Sequence, residues 1–71
     1  MTQQERIYRA MLSGFSDVLD VREVSVALKV STKTIYKHLN DGSLHSIKVG
    51  REFRVPKAHL IEFLCKKDKG V

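Results

Sequence analysis

Apolar and polar positions along this chain follow two different periods, and the change from one to the other marks its elements. Ile7, Tyr8, Met11 and Leu12 recur at helical spacing opposite Arg6, Arg9 and Ser13. Thr2 and Glu5 stand at capping-box separation ahead of them and Gly14 follows, which predicts a first helix within residues 2–14. Asp20 and Glu23 repeat the capping signal, and Val21, Val24, Ala27 and Leu28 predict a short second helix over 21–28. Its β-branched residues weaken helix propensity, so packing must hold it. Ser31 is an N-cap for a third helix over 32–40, with Gly42 just beyond its end. Only Lys29, Val30 and Ser31 remain for the turn between the second and third helices. On the third helix Ile35 and Leu39 point one way, while Lys33 and Lys37 lie near the opposite side, flanked by Thr34 and Asn40.

Beyond Gly42 the period falls to two. Residues 45–49 and 52–55 read as two strands around Gly50 and Arg51. Gly-Arg alone suits a two-residue turn of type II′, which pairs Val49 with Glu52 and sets Phe53 on the face opposite Ile47 and Val49. Moving the pairing by one residue places Val49 opposite Phe53 and Ile47 opposite Val55. All four apolar residues then share one side, with Lys48 and Arg54 outside. The expected arrangement is therefore a three-residue loop of Gly50, Arg51 and Glu52, or an equivalent bulge. Pro56 suits the first turn of a fourth helix. Leu60, Phe63 and Leu64 give that helix its buried stripe, Lys66, Lys67 and Lys69 meet the negative end of its dipole, and residues 69–71 are expected to fray. No repeat, low-complexity tract or linker interrupts the pattern.

Seventy-one residues make one domain, at a size where a single core is only just sufficient. Apolar residues at 42% and charged residues at 30% exclude a disordered chain. Thirteen Lys and Arg against eight Asp and Glu leave a charge of +5, suited to an anionic partner such as nucleic acid. Its distribution is more telling: residues 21–55 carry seven basic and three acidic side chains, whereas residues 1–20 carry two and three. Cys65 is alone, so neither an intrachain disulfide nor a cysteine zinc cluster can form, and its expected role is a small apolar residue in the last helix. No apolar run has the length of a membrane span or of a signal peptide's core. A cytoplasmic, nucleoid-associated protein with no membrane partner is the expectation. His38, His45 and His59 are spaced like no compact metal motif, and no Gly-rich nucleophile turn or phosphate-cradling loop is present. The expected protein is not an enzyme and holds no metal or cofactor.

A short helix, a three-residue turn, a helix with two opposed faces and a basic-tipped hairpin follow one another in the order of a winged helix-turn-helix. The expected fold is mostly α with a small β-hairpin: four short helices plus a two-stranded wing. Residues 19–64 also resemble the excisionase-type helix-turn-helix family, relatives of the DNA-binding domain of MerR-type regulators. The resemblance rests on Val-Ser-x-x-Thr-Ile-Tyr at the third helix, Asp-Gly-x-Leu after it, Ile-Lys-Val-Gly-Arg at the hairpin and Arg-Val-Pro-Lys before the last helix. Residues 2–14 precede the matched core and residues 65–71 follow it as a basic tail.

That resemblance implies a bacterial protein that contacts double-stranded DNA through Thr32, Lys33, Tyr36 and Lys37 on the recognition helix and through Arg51 and Arg54 on the wing, and Thr34 and Lys48 beside them complete the expected DNA-binding set. Some of these residues have a second reading. Tyr36 sits between the buried and exposed sides and could pack on the wing, Arg54 could pair with an acid within the fold, and Thr32 could act mainly at the helix start. The chain departs from the family in having Val24 and Ser25 where many members carry two alanines, and in its N-terminal helix. It also has no long dimerisation helix or effector domain of the MerR kind. The implied role is an excisionase, or recombination directionality factor: several copies bind cooperatively beside a mobile element's attachment site, bend the DNA and assist a site-specific integrase in excision. A small MerR-like transcription regulator without a sensor is the alternative within this fold. A protein-interaction adaptor is the alternative outside it.

Overall fold

The computed structural model describes residues 3–69, which form α1 (Gln3–Met11), β1 (Val18–Leu19), α2 (Val21–Leu28), α3 (Thr32–Asn40), β2 (Ile47–Val49), β3 (Glu52–Pro56) and α4 (Lys57–Lys69). The three strands make one small antiparallel sheet in the order β1-β3-β2. No described helix is long and apolar enough to cross a membrane.

The helix-turn-helix is fixed by its caps. Asp20 accepts the backbone N–H of Glu23 at 2.7 Å, and the Glu23 carboxylate accepts the N–H of Asp20 at 3.1 Å, a complete capping box. Lys29 ends α2 in the left-handed region at φ 56°, its N–H directed to the carbonyls of Ser25 and Val26. Ser25 Oγ donates to the Val30 carbonyl at 2.6 Å, so the serine that departs from the family pattern ties the turn together. Ser31 then caps α3 through the N–H of Thr34. Helix boundaries 21–28 and 32–40 are those the sequence predicts.

Leu12, Leu19, Val24, Ile35, Leu44, Val55 and Leu60 are the largest fully buried side chains. They come from β1, α2, α3, β3 and α4 and from the segments just after α1 and α3, while α1 itself and β2 supply none. Burying each removes apolar surface worth roughly 1.5–3 kcal/mol, the main source of stability in so small a domain. Leu44, like Leu19 and Ile61, is a core residue that periodicity does not pick out. Gly42, at φ 83°, turns the chain after α3 and the Leu44 N–H returns to the His38 carbonyl, which drops Leu44 into the core.

Several sequence expectations are corrected. The capping pair of the first helix begins at residue 2, outside the described residues. Its four-residue stripe is half correct: Leu12 is buried and Tyr8 packs on the core, but Ile7 and Met11 are exposed. α1 packs chiefly on α4, and a single neighbour buries only the narrow line of Tyr8 and Leu12. β1 is not predicted at all, because two residues carry no period. It pairs Val18 with Pro56 and Leu19 with Val55. That pairing makes Pro56 the last residue of β3 rather than the first turn of α4. The Lys57 N–H is bound to the Asp17 carbonyl at 2.7 Å, and Lys57 Nζ to the Phe15 carbonyl at 2.6 Å. α4 runs through Lys69, one residue into the predicted frayed end; Gly70 and Val71 lie outside the described residues.

The hairpin register is also corrected. Val49 pairs with Glu52, Lys48 with Phe53 and Ile47 with Arg54, across a two-residue turn of Gly50 and Arg51. Gly50 has φ 65° while Arg51 does not have positive φ, the pattern of a type II′ turn. Turn chemistry decides the register here, because collecting the four apolar residues brings no burial: Ile47 and Val49 stay 54% and 61% exposed. Phe53 instead turns to the opposite face, where it packs against the core.

Candidate nucleic-acid interface

The geometry begins with the two faces of α3. Ile35 and Leu39 are buried, which leaves Lys33 and Lys37 exposed on the far side. Neither lysine forms an ion pair with a described residue. At the N-terminal end Thr32 is exposed, and Thr34 is committed to the cap, its Oγ1 3.0 Å from Ser31 Oγ. At the C-terminal end Asp41 receives hydrogen bonds from the Ser43 hydroxyl and N–H. These bonds, the hydroxyl's first, hold its carboxyl below the usual range, and His38 and Lys37 add smaller coulombic pulls.

The wing approaches α3 through aromatic contact. Tyr36 meets Phe53 edge-on, with centroids 6.1 Å apart, and Lys48 Nζ sits 5.2 Å from the centroid of the same ring. Tyr36 therefore braces the wing while remaining 45% exposed. The corrected register separates the two strand cations: Lys48 shares a face with Phe53, whereas Arg54 shares one with Ile47 and Val49 and bonds Glu52 at 2.7 Å. That pair is partly exposed and worth at most about 1 kcal/mol, so the arginine can exchange partners cheaply.

An open cleft of about 200 Å³ runs between the start of α2, α3 and the wing, and Arg22, Tyr36, Arg51 and Arg54 line it together with Asp20 and Glu52. It brings Tyr36, Arg51 and Arg54 together; Lys48 adjoins them through Phe53, and Lys33 and Lys37 stand on the outer face of α3. Arg22 is the contributor that sequence reasoning passes over. The available signal is its position, the only basic residue of α2 and in that helix's first turn. Among the described residues no group of three or more His, Cys, Asp or Glu is placed to hold a metal. His45 stacks edge-on with His59 at 5.7 Å and His38 with Phe63 at 5.2 Å, so the histidines line the contact of α4 with α3 and its following loop. Cys65 is half-buried against the core.

A helix whose basic face is held outward by a buried one, preceded by a capped helix and a tight turn and followed by a wing, defines a winged helix-turn-helix domain. The family profile for the helix-turn-helix domain matches residues 18–68, and the chain belongs to that family. Two relatives, from Mycobacterium tuberculosis strains CDC 1551 / Oshkosh and ATCC 25618 / H37Rv, bear the names "Putative DNA-binding protein MT0521" and "Putative DNA-binding protein Rv0500A". Each is 40% identical over 40 residues, 56% of this chain and 51% of the relative. The chain thus spans about half the length of these curated relatives. No solved structure matches the chain significantly.

Proposed function

We propose that this protein binds double-stranded DNA, with α3 in the major groove and the wing on the neighbouring backbone. The observation that carries the reading is the anchoring of α3 by Ile35 and Leu39, which presents Lys33 and Lys37 to a partner beside an arginine-lined cleft. A helix fits a major groove about 12 Å wide, and lysines on its free face reach base edges and phosphates. Thr32 offers a backbone N–H at the helix start to a phosphate, and Arg51, at the wing tip, forms no ion pair with a described residue. Tyr36, Lys48, Arg22 and Arg54 complete the surface, while Thr34 holds the helix start in place.

Within DNA binding, the role proposed is that of an excisionase-type directionality factor that works without catalysis of its own, in the bacterial cytoplasm on the nucleoid. The excisionase-like stretch 19–64 and the excisionase-like character of the matched family support it. Bending a site of 20–30 base pairs costs on the order of 1–6 kcal/mol, a load that several basic protomers bound side by side carry better than one. The test pairs the purified protein with the integrase encoded nearest to its gene, comparing excision with integration and measuring bending of the attachment site. Excision that requires the protein is the expected result. Excision equally efficient without it, together with promoter occupancy that alters transcription, assigns the protein to the regulators instead.

A further inference from the structure

The wing flanks α3 on one side only; the other side is flanked by α4. Tyr36 and His38 lie two residues apart, about 200° around the helix, and mark these flanks. Tyr36 touches Phe53 of the wing, whereas His38 touches Phe63 of α4, with centroids 5.2 Å apart. Between them, Ile35 and Leu39 face inward and Lys33 and Lys37 outward. The His38 side is also basic. Lys67 Nζ lies 5.6 Å from the centroid of the Phe63 ring that His38 meets. An open groove of about 510 Å³ runs between this part of α4 and the loop after α3, lined by Gly42, Ser43, His45, Phe63, Lys66 and Lys67. Lys66 is exposed and, among the described residues, tethered by a 3.4 Å contact with Glu62 one turn earlier. The described residues lining the groove include two lysines and a histidine and no carboxylate, with Asp41 behind Ser43 and Glu62 beside Lys66 as the nearest described acids, whereas the lining of the wing cleft itself includes Asp20 and Glu52.

We infer that this α4 groove is a second phosphate-binding flank, which grips the DNA strand on the side of the major groove opposite the wing, with Lys66 and Lys67 as its phosphate contacts. A helix seated in the major groove has a sugar–phosphate strand on each side. The wing cleft serves one strand; Lys66 and Lys67, beside the His45 edge of the loop, serve the other. Such contacts carry charge and no base pattern, so this flank adds affinity and orientation without sequence preference. The inference rests on the proposal that α3 enters the groove.

The test is binding of the full chain to a short mixed-sequence duplex at several salt concentrations, alongside thermal melting. Lys66→Gln with Lys67→Gln should weaken binding severalfold and make the slope of log affinity against log salt shallower by about one to two units, roughly one for each lost phosphate. Lys67→Arg with Lys66→Arg should restore both. Glu62→Gln, which releases Lys66, should tighten binding. If Lys67→Gln costs stability through its contact with Phe63, Lys66→Gln alone still tests the flank, with a slope change of about one. An unchanged slope in the glutamine variants, while Lys33→Ala with Lys37→Ala loses binding, overturns the second flank and leaves the recognition helix standing. Binding that is insensitive to both pairs overturns the reading of α3, and the flank with it.

Discussion

The helix-turn-helix and the wing occupy adjacent stretches of the chain but are specified by different physics. In α2 and α3, capping side chains set where each helix starts, and buried Val21, Val24, Ile35 and Leu39 set which face turns inward. Local and tertiary signals agree there. In the wing, β2 buries nothing: Ile47, Lys48 and Val49 are all exposed, so burial has no vote on register and the Gly50-Arg51 turn decides it. A pattern of alternating apolar residues specifies a register only where one face of the strand reaches a core. The difference suits the two proposed tasks, since the helix that reads bases must be held rigidly, while a wing on the backbone needs chiefly its charges and its turn.

Core truncation should break the comparison most strongly. Ile35→Ala removes a fully buried side chain and should cost about 2–5 kcal/mol, enough to unfold much of a domain this small, whereas Val49→Ala should stay within about 0.5 kcal/mol. Paired denaturant melts decide it, and similar losses for the two would contradict the burial contrast. Next come the caps: Asp20→Ala should cost about 0.5–2 kcal/mol by losing the carboxylate that accepts the Glu23 N–H, with α2 amides exchanging faster than those of α4.

These two expectations also show why one region was legible in the sequence. Asp20, Glu23, Ser31 and the Ile35–Leu39 pair act through neighbours within four residues, so spacing alone reveals them. Lys33 and Lys37 follow as the free face, and the structure places both outside as read. What stayed hidden depends on distant partners. β1 exists only because β3 lies beside it, and Ile7 and Met11 are exposed because α1 packs chiefly on α4. Arg22 joins the candidate site only once the wing folds back over α2, and Lys67 adjoins α3 through Phe63, with Lys66 beside it in the same groove. Arg54 could be read either way from sequence and is found paired with Glu52.

The wing's dependence on its turn yields the third prediction. Gly50→Ala forces an alanine into positive φ at a place where its Cβ meets nothing within 4 Å, so the cost is backbone strain alone, about 1 kcal/mol or slightly more. Cross-strand nuclear Overhauser contacts should then weaken between Lys48 and Phe53, while the α2–α3 contacts persist. Loss of both sets would mean that the wing and the helices fold as one unit.

The smallest effect concerns Asp41 at the end of α3. Its carboxyl is held below the ordinary carboxylate value, first by the Ser43 hydroxyl and then by the Ser43 N–H. A depressed value in the folded state stabilises above the unfolded value of about 4 and is lost as pH falls through the folded one, so the effect is confined to acid. Carboxyl titration by NMR should show Asp41 ionising below a free aspartate, and Ser43→Ala should raise it. An unshifted Asp41 in the parent protein would remove this contact from the account of how α3 ends.

The central claim is that the outward face of α3 binds DNA, and duplex affinity of Lys33→Ala with Lys37→Ala, measured at moderate salt beside a thermal melt, tests it most directly. Both side chains point away from Ile35 and Leu39, so the melt should stay within about 0.5 kcal/mol of the parent while affinity falls and its salt dependence becomes shallower by about one to two units. Unchanged affinity in a folded variant would contradict the assignment and remove α3 from the recognition role.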